Sequence, residues 1–317
     1  MASIPLPTPA RPLRIGTRAS PLAMAQAHMA AAALIAAHDL DPAALAIVPM
    51  TATGDRIQDR ALAEVGGKAL WTRELDAALD AGTIDIAVHS LKDVETIRDA
   101  RFALGAMLPR ADPRDRLVVR EGTVAATVAD LPQGARLGTS SPRRAAQIRR
   151  LRPDIDAVLL RGNVATRLAK LAAGDADATL LAAAGLERLG MHDVGTVQDI
   201  ATLLPAASQG AIGIECRSDD AATRGLIVVV DHEPTHRAVA AERAFLAALG
   251  GDCRSPVAAH ARFEADGTLR LDAEIYSEDG ADHAIGHTLV GADGAVAALA
   301  ARLLAEAPET VRRLFAP

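Results

Sequence analysis

The sequence predicts an α/β protein made of two lobes, each alternating strands with helices, followed by a small C-terminal α+β domain. Three observations carry this. Short apolar runs alternate with helix-forming stretches from Leu13 to about Glu215, the pattern of a parallel or mixed sheet. A strand end, a hydroxyl-rich turn and a helix start recur as Gly16-Thr17-Arg18-Ala19-Ser20-Pro21 and as Gly138-Thr139-Ser140-Ser141-Pro142-Arg143. After about Val230 the pattern changes to one helix followed by alternating strands and another helix.

In order, Leu13 to Thr17 reads as a strand, and Ser20-Pro21 as an N-cap with proline at the first helical position, opening a helix to about His38. Ala44 to Met50 is a second strand. A glycine-rich turn, Glu64-Val65-Gly66-Gly67-Lys68, precedes a helix from Thr72 to Ala81 that Gly82 stops, and Ile84 to Val88 is a buried strand. Pro109-Arg110-Ala111-Asp112-Pro113 marks a crossing between lobes, and Pro205 the return. The second lobe has strands near Arg116 to Val119, Arg136 to Thr139, Ala157 to Leu160 and Ala178 to Leu181, with helices Pro142 to Leu151 and Val164 to Ala173, the latter closed by Gly174. Ala211 to Glu215 is a strand rejoining the first lobe. The third region holds a helix from Thr235 to Leu249, strands Val257 to Phe263, Leu269 to Tyr276 and His287 to Val290, and a helix from Ala295. The expected domains are therefore 11–108 with 206–226, 109–205 and 230–317.

Composition narrows the function. The 317 residues suffice for two or three domains with sizeable cores. Only 2% are aromatic, so the cores must be filled by Ala, Leu, Val and Ile. A net charge of −6 with few stacking rings argues against a nucleic-acid partner. Two cysteines form no disulfide framework and suit a reducing compartment. Met1 to Pro12 reads as a loose proline-rich arm with no export signal, and no apolar run approaches membrane length, so a cytoplasmic protein without a membrane partner is expected.

The chemistry-bearing stretch is His89-Ser90-Leu91-Lys92-Asp93, at the carboxyl end of a buried strand, where α/β sheets place their sites. Alone, Lys92 and Asp93 read as a solvated pair rather than a site, and His89 as a satisfied buried histidine. The two hydroxyl-rich turns read either as helix caps or as anion sites, because each offers N-H groups, hydroxyls and a positive helix end. Arginines at Arg18, Arg143, Arg144, Arg161 and Arg167 favour the anion reading, since a planar fork suits paired contact with carboxylates or phosphates. Together they predict a cleft that binds an anion with several acid groups. Arg149, Arg150 and Arg152 are expected on a solvated helix face balanced by Asp154 and Asp156. Cys216 reads as an inert buried thiol. Cys253, in the loop Gly250-Gly251-Asp252-Cys253-Arg254-Ser255-Pro256, is either structural or reactive, with Arg254 beside it to favour a thiolate.

The combined motifs resemble the porphobilinogen deaminase (hydroxymethylbilane synthase) family. The resemblance runs from about Arg14 to Pro256, through Gly16-Thr17-Arg18-Ala19-Ser20-Pro21-Leu22-Ala23, Val65-Gly66-Gly67-Lys68, His89-Ser90-Leu91-Lys92-Asp93, Gly138-Thr139-Ser140-Ser141, Leu160-Arg161-Gly162-Asn163-Val164, Gln209-Gly210-Ala211 and the Cys253 loop. The last 60 or so residues match only in general character.

The resemblance implies two periplasmic-binding-protein-like lobes around a cleft, plus a small third domain. It implies a dipyrromethane cofactor held by a thioether to Cys253, and a transferase of porphyrin and heme biosynthesis that adds four porphobilinogen units with loss of ammonia before hydrolysis releases hydroxymethylbilane. Asp93 matches the catalytic carboxylate. Arg18, Ser20, Lys68, Ser90, Lys92, Thr139, Ser141, Arg143, Arg144, Arg161, Arg167 and Gln209 match cofactor- and substrate-binding positions; no metal is implied. A monomer with a small-molecule substrate is expected. The competing class, a non-catalytic two-lobed small-anion-binding protein, would have no use for Asp93 or a linked Cys253. Departures from the family pattern are Glu64 for lysine, Glu95 for proline, Pro142 for leucine and Asp252 for glycine.

Overall fold

The computed structural model describes residues 6–52, 71–251 and 255–315. Lys68 and Cys253, with Glu64, Asp252 and Arg254, lie outside the described residues. The described chain forms two compact units, one of residues 6–52, 71–111 and 211–236, the other of 112–210, 237–251 and 255–315.

The first unit contains strands β1 (Leu13–Arg18), β2 (Leu45–Met50), β3 (Ile86–Ser90) and β4 (Phe102–Met107), with helices α1 (Pro21–His38) and α2 (Arg73–Asp80). A returning strand, Ile212–Arg217, completes a five-stranded sheet, lying between β3 and β4 and antiparallel to both. β1 runs parallel to β2 and β3, with Ile15 opposite Ile47 and Ile86. Alanine lets α1 lie close on this sheet: Ala23, Ala27, Ala30, Ala31 and Leu34 bury one stripe at helical spacing. Gly16 leaves room for Ile84 and for Leu75 of α2, since a Cβ there would meet Ile84 Cδ1 at 2.3 Å and Leu75 Cδ2 at 3.0 Å.

The second unit contains β5 (Asp115–Val119), β6 (Arg136–Thr139), β7 (Asp156–Leu159), β8 (Ala178–Ala182) and β9 (Thr196–Val197), ordered β7-β6-β8-β5-β9. Helices α3 (Pro142–Leu151), α4 (Val164–Ala172) and α5 (Ala183–Arg188) follow β6, β7 and β8. The strand Ile212–Arg217 is β10, and α6 (Ala221–Ile227) and α7 (Glu233–Leu249) come after it. The C-terminal region is a three-stranded antiparallel sheet of β11 (Val257–Phe263), β12 (Leu269–Tyr276) and β13 (His283–Val290), with α8 (Ala295–Glu306). Its core joins Phe245 and Leu249 to Leu271, Ile275, Leu299, Leu303 and Phe315. The protein is thus an α/β fold with two five-stranded lobes and a small C-terminal α+β sheet.

Most elements fall where expected, and the exceptions have causes. β3 extends to Ser90, so His89 lies within the strand and is buried. β4 was not expected, because Phe-Ala-Leu-Gly-Ala-Met lacks the β-branched residues that signal a strand, and only pairing with β10 makes it one. Arg149 and Arg150 do not balance Asp154 and Asp156. Arg149 donates to Glu278 O at 3.0 Å and Arg150 Nε to His283 Nε2 at 3.2 Å, while Gln147 donates to Glu274, so one face of α3 docks on the C-terminal sheet. Only Arg152 pairs with Asp154 as expected.

Candidate functional site

In the first unit the carboxyl ends of parallel neighbours β1 and β3 stand side by side, each followed by a turn. After β1, Ser20 caps α1, its Oγ accepting from Ala23 N at 3.3 Å, and Pro21 occupies the first turn. The cap uses the hydroxyl oxygen and leaves its proton to another acceptor. After β3, a 3-10 turn over Leu91–Asp93 carries Lys92 and Asp93 out of the sheet. Arg18 bridges the two turns: Nη1 lies 3.5 Å from Asp93 Oδ2, and its guanidinium carbon lies 4.1 Å from the centre of the Trp71 ring. These groups line an open hollow of about 380 Å³ together with Ser20, Gln26 and Ser90. Asp93 is one-third exposed there. Ser90 is held by the Gln26 amide, which donates to its Oγ at 2.7 Å.

The second unit repeats the design with β6 and β7, also parallel neighbours. Ser141 caps α3, accepting from Arg144 N at 3.4 Å, and Thr139 Oγ1 accepts from Ser141 N. Asn163 caps α4 by accepting from Thr166 N at 2.9 Å. Arg167 ties the two turns, donating to Gly162 O at 2.9 Å and Ser140 Oγ at 3.1 Å. Gly162 has φ +120°, and a Cβ there would meet Thr166 at 2.6 Å, so this turn admits only glycine. Arg161 is buried, with its carbonyl accepting from Lys170 Nζ. Helices of ten and nine residues therefore present adjacent N-termini beside Arg161 and Arg167, an arrangement suited to anions.

Arg143 and Arg144 point elsewhere. Both are buried and grip Asp115: Arg143 Nη2 donates to Oδ2 at 2.8 Å and Arg144 Nη2 to Oδ1 at 2.7 Å. Arg143 also donates to Gln147 Oε1 and Leu204 O, and Arg144 to Leu180 O. Gln209 joins them, its Nε2 donating to Asp115 Oδ1 at 2.8 Å and to Pro113 O at 2.6 Å. Burial pushes the Asp115 carboxyl up, but the charges of Arg143 and Arg144 outweigh this and hold it far below the usual carboxylate range. Burial pushes the Arg143 guanidinium down. Two cations on one anion leave this cluster with one excess positive charge.

Three groups escaped the sequence reading. Asp115 lies just past the expected crossing and drew no reading, and only the fold shows that it orients two arginines. Trp71, the chain's single tryptophan, walls the hollow. Arg188 ends α5, its Nη2 donating to Gly210 O at 2.6 Å while its buried Nε has no hydrogen-bond partner among the described residues. Burial, only partly offset by Glu187, pushes Arg188 down to about 10, as for a cation short of counter-charge. Adjacent helix N-termini with Arg161 and Arg167 beside them suit a ligand bearing several carboxylates. Cys216 is buried, and burial pushes its thiol up to about 11, so it is no nucleophile.

Among solved structures, the VFT2 domain of Bordetella pertussis BvgS aligns at 15% identity and a TM-score of 0.40 over 69% of this chain and 86% of that one. The periplasmic aliphatic sulphonate binding protein SsuA of Escherichia coli aligns at 18% and 0.39 over 74% and 68%. A porphobilinogen deaminase of Sphingopyxis alaskensis is 81% identical over 311 residues, 98% of this chain and 99% of that protein. The family model for the porphobilinogen deaminase dipyromethane cofactor binding domain matches residues 13–225, and that for the porphobilinogen deaminase C-terminal domain matches 236–306. With both domain models matched in order and the relative aligned nearly end to end, the chain belongs to the porphobilinogen deaminase family.

Proposed function

We propose that the chain condenses four porphobilinogen molecules head to tail, with loss of one ammonia at each addition, and then releases hydroxymethylbilane by hydrolysis. It is an enzyme, a transferase of tetrapyrrole biosynthesis that works with a dipyrromethane cofactor. The observation that carries this reading is Asp93, a carboxylate presented in a hollow beside a guanidinium and an aromatic ring. Such a carboxylate stabilises positive charge developing on a pyrrole nitrogen, while Arg18 remains able to attract a substrate acid group. When bound, the cofactor supplies the pyrrole carbon to which the first substrate is joined.

The chain's own residues bind and orient. Arg18, Ser20, Ser90 and Lys92 in the first unit, and Thr139, Ser141, Arg161 and Arg167 in the second, are assigned to the acetate and propionate groups. Arg143 and Arg144 are assigned the excess charge of the Asp115 cluster, and Gln209 the hydrogen bonds that help hold it. Lys68 is assigned with them on its motif, and Cys253 is assigned the thioether. A third domain over 230–317 is supported by a core around Leu271 and Phe315 drawn mainly from that region. A monomer in the cytoplasm is the proposed state; among the described residues no helix is long and apolar enough to cross a membrane.

The test is intact mass plus ammonia release. Denatured protein should exceed its sequence mass by two linked pyrrole units, and the native protein should release ammonia from porphobilinogen. Cys216→Ala should keep both properties and Cys253→Ala should lose both. Unmodified mass in fully active protein would refute the covalent assignment, and absence of ammonia release would refute the activity.

A further inference from the structure

The segment from Val94 to Arg101 joins the Asp93 turn to β4 with no regular secondary structure, so side chains must hold it. One side chain holds most of it. Arg98 is nearly buried, and its guanidinium meets three carboxylates from three places in the first unit. Nε and Nη2 donate to the two oxygens of Glu215 on β10 at 2.8 and 2.7 Å. Nη1 and Nη2 donate to Asp76 on α2 at 3.2 and 2.6 Å. Nη1 also donates to Glu95 at 2.8 Å. All five N-H donors are thus in use.

Glu95 stands two residues from Asp93, and its oxygens also accept from Thr72 Oγ1 at 3.1 Å. Thr72 and its neighbour Trp71 line the same hollow as Asp93. On the other side, Glu215 is fully buried, and His89 Nε2 lies 3.3 Å from its Oε2. That contact is within ion-pair reach, and among the described residues the nitrogen meets no acceptor in hydrogen-bond geometry. Burial pushes the Glu215 carboxyl up, but His89 and Arg98 outweigh it and bring it down to about 2, which keeps the hub ionised.

We propose that Arg98 and Glu95 are positioning residues for Asp93, fixing the turn that carries it against α2 and β10 so that its carboxylate holds its place in the hollow. Where the family pattern has proline two residues after the Asp93 position, this chain holds the turn with an ion-pair hub instead. A planar fork with five donors can lock direction as well as charge, which lysine cannot. The inference rests on the reading of Asp93 as the catalytic carboxylate.

Steady-state kinetics and thermal melting of Glu95→Ala, Arg98→Lys and Arg98→Met test it, with Asp93→Asn and Arg101→Ala alongside. Displacing a reacting group by about 1 Å costs up to roughly a hundredfold in rate. Glu95→Ala should lower kcat on the order of tenfold with KM within about twofold, while melting within about 2 °C of the parent and keeping its covalent mass excess. Arg98→Lys should melt close to the parent yet show a similar kcat loss. Arg98→Met strands three carboxylates and is expected to lose stability, so the decisive variants are the other two. Arg101→Ala removes exposed pairs with Asp99 and Asp80 and should be silent. Parental kcat in well-folded Glu95→Ala and Arg98→Lys would overturn the inference, as would losses that merely follow melting temperature. If Asp93→Asn itself turns over normally, the reading of Asp93 falls; if Asp93→Asn is inactive while the other two are normal, only the positioning role falls.

Discussion

Replacing Asp115 by asparagine would remove the one anion from between two buried guanidiniums. The contacts are 2.8 Å to Arg143 and 2.7 Å to Arg144. At an effective dielectric of about 20, each carries on the order of 6 kcal/mol of attraction, largely offset by the cost of taking three ions out of water. Removing one partner forfeits the attraction but not the burial of the others, which typically costs about 3–5 kcal/mol. Urea unfolding followed by far-ultraviolet circular dichroism measures the loss, and a double-mutant cycle with Arg144→Met measures the coupling. Asp115→Asn should lose at least about 3 kcal/mol, and the double variant should lose less than the sum of the singles by more than about 1 kcal/mol. The pH dependence has a definite sign. The folded carboxyl is depressed, so its contribution is full above the unfolded value near pH 4 and fades as pH falls below it. The gap between parent and variant should therefore be largest at neutral pH and shrink in acid. A loss below about 1 kcal/mol, or additivity within about 0.5 kcal/mol, would refute the view that Asp115 organises this cluster.

Asp93→Asn should fold and bind porphobilinogen but turn over on the order of a thousandfold more slowly, the equivalent of about 4 kcal/mol for a charge pair near 4 Å, as read by single-turnover ammonia release. Glu215→Gln removes a carboxylate lowered to about 2 from 4.5. That depressed group contributes roughly 3 kcal/mol above pH 4.5, lost as pH falls through about 2, so melting curves of parent and variant should converge across that window. Gly280→Ala should weaken docking of α3 on the C-terminal sheet, because a Cβ there would lie 2.2 Å from Ala146 O and φ is +73°; a measured loss under about 1 kcal/mol would show that the contact relaxes. Arg18→Ala should shift the fluorescence of Trp71, the chain's only tryptophan, and an unchanged spectrum would place Arg18 away from that ring.

The local rules of the chain were strong enough to specify the fold class and the placing of both turns. Serine followed by proline starts a helix wherever it follows a strand, and Ser20 and Ser141 do so because the cap and the first-turn geometry are decided within four residues. Arg18 and Asp93 were each legible at a strand end, but that the two ends are neighbours came only from the parallel pairing of β1 with β3. Side-chain partners are another matter, because an arginine's partner can come from anywhere in the chain. Arg143 and Arg144 read as ligand arginines beside a helix start, yet Asp115, 28 and 29 residues away, engages both. Arg150 read as solvated until the C-terminal sheet supplied His283. Glu95 read as a bare departure from a family pattern until the fold gathered it with Asp76 and Glu215 around the Arg98 guanidinium. Which elements form was decided by short-range backbone and capping chemistry, whereas which charges neutralise one another was decided by chain segments far apart in sequence. Burial removes water as the alternative partner, so only the tertiary structure could assign those charges.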